Sequence, residues 1–242
     1  IIFKYSTILF FILHRAASIN NTELLYFLLN ESAYKNTFEL LDDYCDINQI
    51  SIQLKMIKII KHFLIKCKLL IISSSINSIE DCTFFRYAQL KQIAIPPSVI
   101  SIGNFAFYQC LKLTHIIIPP SVISIGNYAF SECISLKKIS IPPFVTSIGN
   151  FAFKGCKSLI DILIPPSIKS IKKSTFERCV ALKQITIPSS VKTIQECAFN
   201  CCRSLKQVIF EFPSSLTSIE NNAFNECSSL IQISIPPSVT LI

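Results

Sequence analysis

A 23-residue spacing governs most of this 242-residue chain. Aligned on one phenylalanine, the positions are Phe84, Phe107, Phe130, Phe153, Phe176, Phe199 and Phe224, five steps of 23 and a last step of 25. The two extra residues fall within 209–212, where V-I-F-E-F-P replaces the usual I-x-I-P. Self-similarity at a fixed period of this length is the signature of a solenoid or array. The consensus L-x-x-I-x-I-P-P-S-V-x-S-I-G-N-x-A-F-x-x-C is cleanest over 113–133 and 136–156.

Each column has a physical reading. The I-x-I pairs, from Ile93 and Ile95 through Ile116 and Ile118 to Ile233 and Ile235, alternate with period two, which predicts a short strand with one buried face. Proline follows and ends the strand, because it donates no ladder hydrogen bond and fixes φ. Val99, Val122, Val145 and Val191, then Ile102, Ile125, Ile148, Ile171 and Ile194, return the chain inward. Asp81, Asn104, Asn127 and Asn150 precede the A-F pair and are placed to cap a short helical turn. Phenylalanine and cysteine three residues apart would share the inner face of that turn. A single coil offers about six or seven core side chains at roughly 1.5–3 kcal/mol each, against about 1–2 kcal/mol of backbone entropy per residue. Such coils therefore fold only as a stack. Seven of them, with strands about 4.8 Å apart, make a rod ~35 Å long.

Eleven cysteines suggest disulfides until their positions are read. Cys110, Cys133, Cys156, Cys179, Cys202 and Cys227 recur once per coil, which predicts a column of small buried thiols packing as compact hydrophobes. Tyr87 fills the same slot in the first coil. Cys45, Cys67, Cys82, Cys197 and Cys201 form no C-x-x-C pair, and thiols in a line do not surround a metal as structural zinc requires. The histidines His14, His62 and His115 lie far apart and outside any H-E-x-x-H motif. Phosphate loops and the G-x-S-x-G elbow are missing. The reading is of a non-enzyme, with no catalytic, cofactor-binding or metal-binding residues and no cofactor.

These repeats resemble the BspA-type leucine-rich repeat, a family of bacterial and protist surface antigens, over about residues 72–242. Its hallmark run I-P-x-S-V-x-S-I-G-x-x-A-F-x-x-C stands at 118–133 and 141–156. Ser189 departs from the pattern in place of a second proline, as do Lys172, Gln195 and Glu220 in place of glycine. The resemblance implies a leucine-rich-repeat-type solenoid, with short parallel strands on a concave face and turns and short helical segments on the other. It also implies adhesion to host or matrix proteins at a cell surface, and it brings no catalytic residues.

Residues 1–70 carry neither proline nor the repeat and are expected to form a small, mostly α N-terminal region ahead of the 71–242 solenoid. Two readings compete for their start. Lys4, the apolar run 5–13 and the small residues Ala16, Ala17 and Ser18 fit a signal peptide, with Asn20 and Asn30 as glycan acceptors. The stretch 13–29, L-H-R-A-A-S-I-N-N-T-E-L-L-Y-F-L-L, instead resembles an ankyrin repeat. The alternatives for the whole are thus an intracellular, cytoplasmic scaffold joining ankyrin-like and leucine-rich repeats, or a truncated gene fragment. The absence of an initial methionine and the stop inside a coil at Ile242 lead to the expectation of a fragment.

If the solenoid binds, the residues between the buried isoleucines should do it. One outward column is Gln92, His115, Lys138, Asp161, Gln184, Gln207 and Gln232; the next carries Ile117 and Leu163. Lys91, Lys137, Lys183 and Lys206 lie beside them as a basic edge. The formal net charge is +8, yet no basic run reads as a nucleic-acid arm. The expected partner is a protein ligand, such as a host or matrix protein, with no nucleic acid. The chain has no stretch of 18 uncharged apolar residues to span a membrane.

Overall fold

The computed structural model describes residues 76–242 together with the backbone of the strand Leu69–Ile71. The α-rich expectation for residues 1–70, with its signal-like and ankyrin-like alternatives, falls almost wholly outside the described residues. The remainder is a stack of coils carrying parallel ladders on two sides. The I-x-I slots, filled by Leu70 in the first strand and Val208 in the last, give the strands of the first ladder: β1 (Leu69–Ile71), β3 (Gln92–Ala94), β5 (His115–Ile117), β7 (Lys138–Ser140), β9 (Asp161–Ile162), β11 (Gln184–Ile187) and β13 (Gln207–Phe210). The first five form one parallel sheet and the last two another.

A second ladder arises from the Ser-Ile pair of each coil: β2 (Ser78–Ile79), β4 (Ser101–Ile102), β6 (Ser124–Ile125), β8 (Ser147–Ile148), β10 (Ser170–Ile171), β12 (Thr193–Ile194) and β14 (Ser218–Ile219). These pair in parallel as β2-β4-β6-β8 and β10-β12-β14. By their spacing these isoleucines are expected only as inward-pointing core residues; each also belongs to a two-residue strand. The glycine that follows permits close approach: a Cβ on Gly126 would lie 2.6 Å from the Asn104 nitrogen and 2.6 Å from the Gly103 carbonyl carbon. The Gly103, Gly126 and Gly149 N–H groups donate to Ile79, Ile102 and Ile125. The ladder is interrupted between β8 and β10, where Lys172 takes the glycine slot. Among the described residues Lys172 lacks this bond, whereas Gln195 and Glu220 regain it toward Ile171 and Ile194. The break is not confined to that slot: among the described residues Lys169 also makes no bond to Thr146, whereas Thr146 bonds Ile123 and Lys192 bonds Lys169.

The third side corrects the expectation of short helical segments. Among the described residues it contains no helix; the N-x-A-F-x-x-C stretch is a run of turns. Two residues per coil, four apart, hold positive φ, for example Phe105 (55°) and Gln109 (56°), Tyr128 (55°) and Glu132 (58°), Phe151 (59°) and Gly155 (72°). Left-handed backbone costs a non-glycine residue about 1–2 kcal/mol. Here it turns the N–H out of the coil. Phe105 donates to Asn127 at 2.8 Å and Gln109 to Ser131 at 2.8 Å, each in the next coil. A helix would have spent those donors inside its own coil. Nor do the asparagines cap helices. Asn104 Oδ1 accepts the Asn127 N–H at 2.8 Å, and Asn127 Oδ1 accepts the Asn150 N–H at 2.8 Å. They cap the neighbouring coil.

Between the three sides lies one continuous apolar core. Its spine is the phenylalanine column, stacked face to face from Phe84 to Phe224 with centroids 4.9–5.6 Å apart. That interval is close to the ~4.8 Å strand spacing, so backbone ladders and ring stack share one pitch. Beside it the six repeated thiols are buried, and each donates to the carbonyl of a phenylalanine one coil back. Cys133 reaches Phe107 at 3.1 Å and Cys179 reaches Phe153 at 3.3 Å. Burial pushes the thiols of Cys133, Cys156, Cys179, Cys202 and Cys227 up, the last to about 11. The corner serines make the same kind of bond: Ser98 Oγ donates to Ile76 and Ser121 Oγ to Val99, both at 2.6 Å.

The stretch after the seventh coil departs from expectation. Ile233 and Ile235 lie outside any strand, and both are incompletely buried. The preceding coil carries the two-residue insertion and a cis Phe212–Pro213 bond.

Candidate functional site

The alternation anticipated for the first ladder places one side chain in two on the outer surface. In β3, β5 and β7 the central isoleucine is buried and both neighbours are exposed. Parallel register then aligns equivalent residues. Gln92 pairs with His115, His115 with Lys138, and Lys138 with Asp161. Gln184 pairs with Gln207 in the second block. Gln232 is exposed but lies outside any strand, so the ladder does not hold it in this row.

The adjoining row carries Ala94, Ile117 and Ser140 in register. Ile117 is 78% exposed and Leu163, which directly follows β9, is 68% exposed. They stand two coils apart, with Ser140 between them in the row. His115 Nδ1 lies 3.0 Å from Thr114 Oγ1.

A third row runs along the strand starts: Lys91, Thr114, Lys137, Ile160, Lys183 and Lys206. Its backbone ladder is continuous where the sheet itself is split. Thr114 donates to Lys91, Lys137 to Thr114, Ile160 to Lys137, Lys183 to Ile160 and Lys206 to Lys183, at 2.8–3.3 Å. The four lysines are exposed and make no ion pair among the described residues.

The turn side carries a different chemistry. Phe85 stacks on Tyr108, and Phe105, Tyr128 and Phe151 form a second outer stack at 4.6 and 4.5 Å. Lys154 lies over the Phe151 ring at 5.4 Å. The ion pairs Lys154–Glu177 (2.9 Å), Lys173–Glu196 (2.7 Å) and Arg203–Glu226 (3.1 Å) are also here. This outer stack was missed from the sequence, although aromatic residues before the A-F pair in coils two to four were its signal. A shallow groove of ≈ 310 Å³ follows the second ladder past Ser101, Ser124 and Ser147 and ends at Lys172, whose Nζ donates to Ser147 Oγ at 3.0 Å. Among the described residues no group of three His, Cys, Asp or Glu side chains is placed to hold a metal ion. No helix among them is long and apolar enough to cross a membrane.

Residues 61–180 and 146–242 match the BspA-type leucine-rich repeat region in six copies. The chain belongs to the BspA-type leucine-rich repeat family. Solved structures of the same architecture include the leucine-rich repeat protein TpLRR of T. pallidum, at 29% identity and a TM-score of 0.61, over 67% of this chain and 77% of that one. A leucine-rich repeat protein from Bacteroides ovatus gives 32% identity and a TM-score of 0.57, over 72% of this chain and 53% of that one. One from Eubacterium ventriosum gives 28% and 0.57, over 64% and 42%. No curated protein sequence matches the chain. The BspA-type repeat is a scaffold for binding, and in this chain it sets out three parallel rows of exposed side chains on one ladder.

Proposed function

We propose that this BspA-type solenoid is a non-enzymatic, protein-binding adhesion module of surface-antigen type, whose partner lies on the first ladder, the concave face in the family's architecture. One observation carries the reading: Gln92, His115, Lys138 and Asp161 stand in unbroken register beside the exposed aliphatic side chains of Ile117 and Leu163. A row held by backbone ladders is preorganised, so binding costs little ordering of the receptor. Aliphatic side chains flanked by polar ones offer a partner an apolar contact with a polar rim.

The test places a photo-cross-linking residue at His115 or Leu163, with Ser124 on the second ladder as the control position. Each protein is exposed to a panel of purified extracellular matrix and serum proteins. Cross-links from positions 115 and 163 but not 124, together with weakened binding in the Gln92→Ala, Lys138→Ala, Asp161→Ala triple variant at unchanged thermal stability, support the reading. Cross-links from position 124 alone, or unchanged affinity in the triple variant, overturn it.

A further inference from the structure

We infer that the first ladder receives an extended, acidic segment of a protein partner laid along the solenoid axis, with acidic and apolar side chains alternating. This rests on the strand-face reading above and names the chemistry of the occupant.

Three observations carry it. The first is charge. Lys91, Lys137, Lys183 and Lys206 share one row, and Lys138 joins them from the next; all are exposed. Asp161 is the one acid in these two rows, whereas the acids of the turn side are tied to their own cations, as in Lys154–Glu177 and Lys173–Glu196. Unpaired cations of one sign along a face raise the local concentration of an acidic partner and steer its approach.

The second is spacing. Lys91 to Lys206 spans five coil steps, about 24 Å at ~4.8 Å per strand, which an extended peptide of about eight residues covers at ~3.3 Å each. Such a peptide lying edge-on sends successive side chains to opposite sides of its backbone. On this face one side is the lysine row and the other is the row of Ile117 and Leu163. Between them run Gln92, Gln184 and Gln207, whose amides offer both donors and acceptors to a peptide backbone.

The third is the absence of aromatic rings in all three rows, His115 aside. Single-stranded nucleic acid binds basic grooves through bases stacked on aromatic side chains. Here the aromatic side chains stack on one another at the turn side instead. Aliphatic side chains beside the cations favour a peptide over a sulfated glycan, which has no apolar side chain to bury.

The experiment measures binding of a fluorescein-labelled alternating glutamate–leucine peptide of about ten residues to the full chain by anisotropy. Heparin and an oligothymidylate of matched charge serve as competitors. Lys137→Glu with Lys183→Glu is compared with Lys169→Glu and Lys192→Glu, which remove the same charge away from the row. Expected is a loss of about tenfold or more for the row variant and less than about twofold for the control, with binding weakened by added salt. A glutamate–serine peptide should bind more weakly than the glutamate–leucine one. Equal losses in the two variants, equal binding of the two peptides, or tighter binding of heparin or oligothymidylate overturns the inference. If the peptide does not bind while a matrix protein still cross-links at positions 115 and 163, this inference fails and the strand-face reading stands.

Discussion

The Cys156 thiol donates to the Phe130 carbonyl at 3.2 Å, reaching back 26 residues into the preceding coil. The same bond recurs from Cys110 to Cys227. The cysteine column is therefore more than the apolar filler expected from its spacing: each thiol is a weak donor aimed at a buried acceptor. Cys156→Ala is expected to cost about 1–2 kcal/mol, from the lost bond and the small void. Cys156→Ser keeps a donor and should cost less. Urea unfolding of the two variants checks the order; a serine variant less stable than alanine would make packing the whole role.

Burial raises the thiols of Cys133, Cys156, Cys179 and Cys202 above their usual range, with desolvation the largest cause. A thiol raised in the folded state contributes stability that is fully present below its unfolded value of about 8.5. That contribution is lost as pH rises toward the folded value, because only the unfolded chain releases the proton. For Cys227 the loss extends to about 11. The urea midpoint under reducing conditions should therefore fall between about pH 8 and pH 10, and fall less when Cys156 and Cys179 are both serine.

Gly126 faces the backbone of the coil before it, with the Asn104 nitrogen 2.6 Å from where a Cβ would lie. Backbone atoms paired into ladders on both sides cannot step aside. Gly126→Ala is expected to destabilise by about 2–3 kcal/mol through overpacking. Lys172→Ala, at the equivalent slot where the ladder bond is already missing, should change stability by less than about 0.5 kcal/mol. Thermal unfolding of both variants checks the contrast.

How far the sequence could be read follows from how often it repeats a given environment. Phe130, Ile139 and Cys133 each sample a column filled seven or nearly seven times, so burial and pitch were plain. The exposed rows were also legible, since alternation about Ile116 and Ile139 leaves His115 and Lys138 no inward option. The Ser124–Ile125 ladder was not, because a two-residue strand is too short to display period two. The turn side misled for a different reason. Phenylalanine and cysteine three apart fit a helical turn, and the residues with positive φ, among them Phe105, Gln109, Tyr128 and Glu132, have no shared composition to betray them. Their backbone is dictated by the hydrogen bonds of the next coil, which a local pattern does not record. The identity of a partner was illegible because the outer rows change from coil to coil, free of the constraint that fixes the core.

Phe144 is the one residue in the corner-serine column that is large and apolar, and it is 68% exposed. Ser121 and Ser190, in the same slot of other coils, donate to Val99 and Ile168 one coil back at 2.6 and 2.7 Å. By register a serine at position 144 would reach the Val122 carbonyl. Phe144→Ser removes exposed apolar surface and supplies the bond that coil four lacks, so it is expected to raise stability by about 0.5–1 kcal/mol. Phe153→Ser makes the same chemical change in the ring stack, where Phe130 and Phe176 lie at 5.4 and 5.6 Å on either side. It should cost about 3–5 kcal/mol and weaken the coupling between the coils it joins. Urea unfolding followed by circular dichroism separates the cases. A destabilised Phe144→Ser variant would mean that this ring is held by contacts its exposure does not reveal.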